Sequence, residues 1–426
     1  MTAKMHRSAT ASETTMDMNR RNYLTATLGL ATAGLAPSAG ATTKKAPAAP
    51  KGLPDKAAFD LGDVAYLNSG TIHPFPASAV AAREAYTAAR TEVDVLSSRV
   101  QADAVREKFA KLINASADEI AFTQSTTMGE QQILGALGLP DTPGHIVTDT
   151  LHFFGSFPLY QDLEKRGCEV TWLRPESGRI SLEQFEAAIR PDTKLVSLSL
   201  VSTYNGFEHD LKGICEIAHA RGAYVFADII HAAGCVPIDV RATGVDFAST
   251  ASYKWLMGDF GLGFIFARKD RLPELKRTQW GYYGISSFSS HVYPFDSPGD
   301  TIADYAFQDT AAGYFHYGTY SHTLVAQLNA SLDYIHALGV ENIQAHATQM
   351  TDYLKEELPK LGFEIATPFE SKTPLVTAIL EGAYGKLNER LEAAKVKITL
   401  SRNRFRVCPS VFNDMDDIER LLAALR

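Results

Sequence analysis

The sequence predicts an α/β fold: a large domain with a mainly parallel, seven-stranded sheet covered by helices on both faces, then a smaller α+β C-terminal domain. Three observations carry that expectation. Short β-rich runs alternate with helical patterns from Ala79 to Arg268, the signature of strand–helix crossovers. Seven of those runs have strand length and composition: Glu119–Thr123, His145–Thr148, Glu169–Leu173, Lys194–Leu200, Tyr224–Asp228, Phe247–Ser249 and Gly263–Ala267. After His322 the rhythm changes to two long helical patterns, to Leu338 and from Val340 to Leu361, followed by short strand-like runs and a last amphipathic stretch.

In chain order, residues 1–50 stand apart, rich in Ala, Thr and Ser with no amphipathic period. Within them Asn19-Arg20-Arg21-Asn22-Tyr23-Leu24 precedes a weakly apolar stretch, Ala26 to Ala36, and then Ala39 and Ala41, which fit the small-residue rule for signal cleavage. That order resembles a twin-arginine export signal, so residues 1–41 are expected to be a leader read by the twin-arginine translocase and the remainder periplasmic. Residues 42–78 read as linker and N-terminal arm. Residues 79–320 read as the large domain and 321–426 as the small one. Between strands lie the helical patterns Leu182–Ile189 and Leu211–Arg221. Residues 270–320 break the alternation with Gly, Ser, Pro and aromatics, among them Trp280, Tyr282, Phe288, Tyr293 and Phe295. Phe405–Val407 and Leu375–Leu380 read as strands and Asp416–Leu425 as the closing helix.

Composition removes several function classes. The 426 residues are 45% hydrophobic and 21% charged, ordinary for a globular chain of two to three domains. A net charge of −8 without basic runs argues against nucleic acid. No apolar run reaches the roughly 18 residues of a membrane helix. The four cysteines, Cys168, Cys215, Cys235 and Cys408, form no CxxC pair, and no HExxH accompanies the twelve histidines, so no metal site is expected.

In parallel sheets ligands bind beyond the carboxyl ends of the strands, so polar residues just past strand ends are informative. Thr123-Gln124-Ser125-Thr126-Thr127-Met128-Gly129 joins a strand to a helix starting near Gly129, where hydroxyls and amides backed by the helix dipole can hold an anion or simply cap the helix. Asp228 closes an apolar strand, with His231 three residues on; the acid can hold a cationic ring nitrogen or cap a turn. Lys254, in Ala251-Ser252-Tyr253-Lys254-Trp255-Leu256, lies between apolar flanks where desolvation would make it nucleophilic. Anion cradle, acid and lysine in that order match what pyridoxal 5'-phosphate requires.

With these motifs the chain, from Tyr66-Leu67-Asn68-Ser69-Gly70 to the C-terminus, resembles the class V aminotransferase family of fold-type I pyridoxal-phosphate enzymes. That family includes cysteine desulfurases, kynureninases and isopenicillin-N-epimerase-like proteins. The resemblance implies that Lys254 carries the cofactor as a Schiff base, that Asp228 pairs with the pyridine nitrogen, and that Ser125, Thr126 and Thr127 hold the phosphate. It puts His152 over the cofactor ring. Thr203 stands where relatives carry an Asn near the ring hydroxyl, with Asn205 as the substitute. His231, Ser252 and Tyr253 complete the implied cofactor set, the Tyr253 hydroxyl meeting the phosphate. Arg406 matches the clamp for the substrate carboxylate, with Arg404 and Arg402 as alternatives. Gly318 and Thr319 match the loop donated to the neighbouring subunit's phosphate site, which implies a homodimer with shared active sites.

The expected activity is transamination or a related change at the amino group and α-carbon of an amino-acid-like small molecule, with a C–S or C–C lyase or an epimerase as the alternative. A cysteine desulfurase needs a mobile Cys shortly before the carboxylate-binding Arg, and residues 385–405 contain none. The aromatic segment Trp280–Phe295 fits either a bulky substrate or interface packing. A reading of another class, an exported binding protein without catalysis, is opposed by retention of Lys254, Asp228 and Arg406.

Overall fold

The computed structural model describes residues 52–91, 101–139 and 141–426. The expected leader, 1–41, and residues 42–51 of the expected linker lie outside them. The central sheet has the seven expected strands: β1 (Ile120–Thr123), β2 (His145–Asp149), β3 (Glu169–Leu173), β4 (Thr193–Ser199), β5 (Tyr224–Asp228), β6 (Phe247–Ala251) and β7 (Gly263–Ala267). Their order is β1-β7-β6-β5-β4-β2-β3. Only β7 runs antiparallel, against both β1 and β6.

Alternate side chains of each strand feed separate cores. Val196 and Leu198 of β4, Val225 and Ala227 of β5, and Phe264 and Phe266 of β7 enter one apolar cluster. Leu195, Phe226 and Ile265 enter another. A sheet apolar on both faces must be covered twice, which is why the strands read as continuous hydrophobic runs.

The helix after β1 begins at Thr126, one turn earlier than expected near Gly129, because the Ser125 hydroxyl accepts the Met128 N–H at 3.2 Å and caps it. Gly129 lets this helix approach β6: a Cβ there would lie 2.7 Å from the Ser249 Cβ.

The aromatic segment, expected to be a loop, contains an antiparallel hairpin, β8 (Ile285–Ser290) with β9 (Ala303–Phe307). The smaller C-terminal domain carries the helices His322–Leu338 and Val340–Lys360, an unexpected helix Ala383–Ala393, and the closing helix Met415–Leu425. Its antiparallel sheet comprises β10 (Glu364–Ile365), β11 (Val376–Ile379), β12 (Thr399–Leu400) and β13 (Arg404–Val407), in the order β10-β11-β13-β12. Phe405 and Val407 of β13 enter a third core with Leu354, Leu391 and Leu421. Arg404 and Arg406, between them in the alternation, leave by the opposite face.

Candidate active site

Four parallel neighbours, β6, β5, β4 and β2, end on the same edge of the sheet. Register aligns Ser199 with Asp228 and Asp228 with Ser249, so the strand ends form one polar row. Beyond that row lies a cavity of about 430 Å³, within the usual range for small-molecule sites, whose lining includes His152, Thr203, Tyr253, Lys254, Arg404 and Arg406.

Lys254 is 8% exposed, with Nζ 2.9 Å from His231 Nε2. Burial, assisted by the Arg406 charge, pushes its amine down to about 8. Burial also holds His231 well below the usual histidine range, with Lys254 and Arg406 adding to the effect. The indole N–H of Trp255 faces His231 Nδ1 at 3.5 Å, which leaves the ring proton on Nε2, donated to the neutral lysine amine. Capture of a carbonyl compound by the apoprotein should therefore accelerate about tenfold per pH unit up to about pH 8 and level off above it, because the neutral amine is the nucleophile. Stopped-flow absorbance with pyridoxal phosphate between pH 6 and 10 checks this; a rise continuing to pH 10 refutes a depressed lysine.

Across the cavity stands an acidic network. Asp228 Oδ1 accepts the Ile230 N–H at 2.9 Å, and Oδ2 accepts from the Ser199 hydroxyl at 3.3 Å. Burial raises the Asp228 carboxyl, opposed by the His152 ring. Ser199 Oγ also lies 2.9 Å from His152 Nδ1, which accepts the Phe153 N–H at 2.7 Å. The proton of His152 therefore sits on Nε2, donated at 3.1 Å to Glu130. Glu130 is fully buried and also accepts the hydroxyls of Ser156 and Tyr160, each at 2.6 Å. Burial alone would raise its carboxyl; the His152 ring and these donors bring it below the usual carboxylate range. Glu130 in turn raises His152 above the usual histidine range against its own burial.

Arg406 is held in place without an acid. One terminal nitrogen donates to the Thr203 carbonyl at 2.9 Å and hydroxyl at 2.7 Å; the other donates to the hydroxyls of Thr71 at 3.0 Å and Thr399 at 3.3 Å. Its Nε is buried with no partner. Gly70 permits this approach, since a Cβ there would lie 2.6 Å from Cys408 Sγ and 3.4 Å from the guanidinium. Arg404 also lines the cavity, stacked 4.8 Å over Tyr204, whereas Arg402 is exposed and does not.

The structure thus brings Lys254, Asp228, His231, His152, Tyr253 and Arg406 to one neighbourhood, and gives the other expected site residues other partners or places outside the cavity lining. Asn205 does not reach the cavity: its amide donates to the carbonyls of Gly178 at 2.7 Å and Ala366 at 3.3 Å, and its oxygen accepts the Phe207 N–H. Ser252 is fully buried and its hydroxyl is given to the carbonyls of Asp259 and Leu262. Thr203 holds Arg406 rather than standing free. The hydroxyl of Thr126 accepts the Ala251 N–H at 2.9 Å, tying the helix start to β6. Neither it nor Ser125 nor Thr127 is among the cavity's lining residues. Thr319 is exposed, 3.4 Å from the Tyr282 hydroxyl, and with Gly318 lies outside the cavity lining, as does all of Trp280–Phe295. Missed by the sequence were Thr71, Glu130, Ser199 and Thr399; only Ser199, at a strand end, had a positional signal.

The family model described as aminotransferase class-V matches residues 79–383. This chain belongs to the class V aminotransferase family. A "Probable cysteine desulfurase" of Methanothermobacter thermautotrophicus is 30% identical over 307 residues, covering 69% of this chain and 72% of that protein. An uncharacterized aminotransferase of Bacillus subtilis is 25% identical over 319 residues, 74% of this chain and 81% of that one. In fold, the chain is similar to a C-DES mutant solved with glycine covalently linked to its pyridoxal-phosphate cofactor, at TM-score 0.77 and 20% identity, covering 87% of this chain and 99% of the other. Class V enzymes use pyridoxal phosphate, and the residues here suit it. A depressed lysine and an arginine whose Nε has no hydrogen-bond partner among the described residues line one cavity, and an acid raised by burial is linked through Ser199 to His152, which lines it too. The start of the helix at Thr126, capped by Ser125, is tied by the Thr126 hydroxyl to the strand that leads to Lys254.

Proposed function

We propose that this chain transfers the amino group of an amino-acid-like substrate, with Lys254 as the base at the α-carbon. The observation that carries the reading is that lysine: a buried amine brought to about 8, donated to by His231, in a cavity that also holds a buried guanidinium free of carboxylates. When bound, pyridoxal phosphate supplies an electron sink for the charge left at the α-carbon. Lys254 anchors the cofactor and, released by the substrate amine, takes the α-proton at Nζ. Asp228 would hold a proton at the ring nitrogen, and His152, fixed by Glu130 and Ser199, would contact the ring. Arg406 would orient the substrate through its α-carboxylate by giving it N–H donors now held by the hydroxyls of Thr203, Thr71 and Thr399, and Ser125, Thr126 and Thr127 would meet the phosphate.

A second reading, cleavage of a C–S bond, is favoured by the likeness to proteins named as cysteine desulfurases. All four cysteines are buried, so sulfur released here would go to solvent rather than to a thiol of this chain. Holoenzyme incubated with an amino-acid panel, with products and cofactor spectrum followed together, separates the readings. A keto acid with the amine retained supports transfer, sulfide from cysteine supports lyase action, and a D-amino acid marks epimerisation. No spectral change with any amino acid overturns all three.

Exposed Thr319 fits a role at the phosphate of a second copy, making the active unit a homodimer; an active monomer in sedimentation would refute it. Residues 1–41 fit export by the twin-arginine route. Changing Arg20 and Arg21 together to Lys is expected to trap precursor in the cytoplasm, and undiminished periplasmic protein on fractionation would exclude that role.

A further inference from the structure

We infer that the substrate carries a second anionic group and that Arg404 is the residue that reads it. The inference rests on the reading of the cavity as an amino-acid site and concerns which amino acids enter. Arg404 and Arg406 are two positions apart on β13, and Phe405 between them is buried in the C-terminal core. Their side chains therefore leave the same face, about 7 Å apart along the strand. Both line the cavity with Lys254, and none of the lining residues is Asp or Glu.

A carboxylate on the α-carbon satisfies Arg406. That leaves Arg404, whose guanidinium lies 4.8 Å over the Tyr204 ring. A guanidinium over an aromatic face spends no N–H donor on that contact, so its donors remain to bind a carboxylate with two parallel hydrogen bonds. Ser401, Phe154 and Phe157 line the same cavity, so a hydroxyl and apolar surface accompany the two guanidiniums. A monoanionic amino acid leaves this second guanidinium without an anion; one with a carboxylate or sulfur oxyanion a methylene or two beyond the α-carbon fills both positions. Arg404 is thus a specificity residue, and acidic amino acids are the substrate class.

Calorimetric titration of the holoenzyme with succinate and with propionate, neither of which has an amine to react, tests this. Wild type is expected to bind succinate about tenfold or more tightly than propionate, the gain of a second charge-assisted contact. Arg404→Gln should bring the two within about twofold while leaving propionate affinity unchanged. Arg404→Lys should fall between, since it keeps the charge but not the planar fork. Equal affinities in wild type, or a succinate preference that survives in Arg404→Gln, overturns the inference. Failure of the underlying reading is distinct: no amino acid, acidic or neutral, then perturbs the cofactor spectrum, whereas a failure of the inference alone leaves neutral amino acids reacting as well as acidic ones.

Discussion

Lys254→Ala is expected to leave a folded protein that no longer holds its cofactor covalently and turns over about two to four decades more slowly, the scale of a lost positioned base. Borohydride reduction followed by peptide mass spectrometry should find the cofactor on Lys254 in wild type and on no lysine in the variant. The prediction is sharp because of the alternatives available. Among the described residues one other lysine is buried, Lys355, and its ammonium pairs with Asp352 at 2.8 Å and donates to the carbonyls of Phe369 at 2.8 Å and Ser371 at 2.7 Å. Lys254 has different surroundings: burial and the nearby Arg406 guanidinium both favour the free amine, and its Nζ lies 2.9 Å from His231 rather than beside a carboxylate. A reduced adduct on any other lysine would show that this difference in surroundings does not choose the attachment site.

The same contrast explains what could be read from the sequence. Strands buried on both faces must be apolar throughout, so β4 to β7 stand out between turn residues at nearly their true limits. The antiparallel β7 is less visible, although the link from Ala251 to Gly263 is too short for a helical crossover and implies it. The hairpin β8–β9 was illegible because Phe288 and Tyr305 face solvent, neither strand buries a residue, and β8 is mostly serine. In the site, Asp228, His152 and Lys254 announce themselves by lying just beyond strand ends. Glu130 does not: it sits one turn into a helix, where a carboxylate reads as a solvated face. Its burial follows only from the fold that sets Ser156, Tyr160 and His152 around it. Asn205 and Ser252 show the converse. Their polar groups are consumed by backbone carbonyls and amides that the turns would otherwise leave unpaired.

Arg406→Met is expected to reduce kcat/KM for any amino acid by about two to four decades, the loss of two charge-assisted hydrogen bonds to a carboxylate at roughly 1.5–3 kcal/mol each. Stability should respond far less. The native guanidinium makes four hydrogen bonds to neutral oxygens of Thr203, Thr71 and Thr399, and losing them costs stability. Against that, the variant no longer buries a charge that none of these partners balances, and an unbalanced buried charge is itself costly. The two effects oppose, so the melting temperature is expected to move by only a few degrees. A third readout is independent of substrate. Arg406 helps hold the Lys254 amine at about 8, so its removal should shift the pH midpoint of cofactor capture upward, towards the value burial alone sets. A merely structural arginine would show the reverse pattern, a large fall in melting temperature with the pH midpoint unmoved. Arg406→Lys, which keeps a charge in the cavity without the planar fork, should preserve the midpoint better than it preserves kcat/KM.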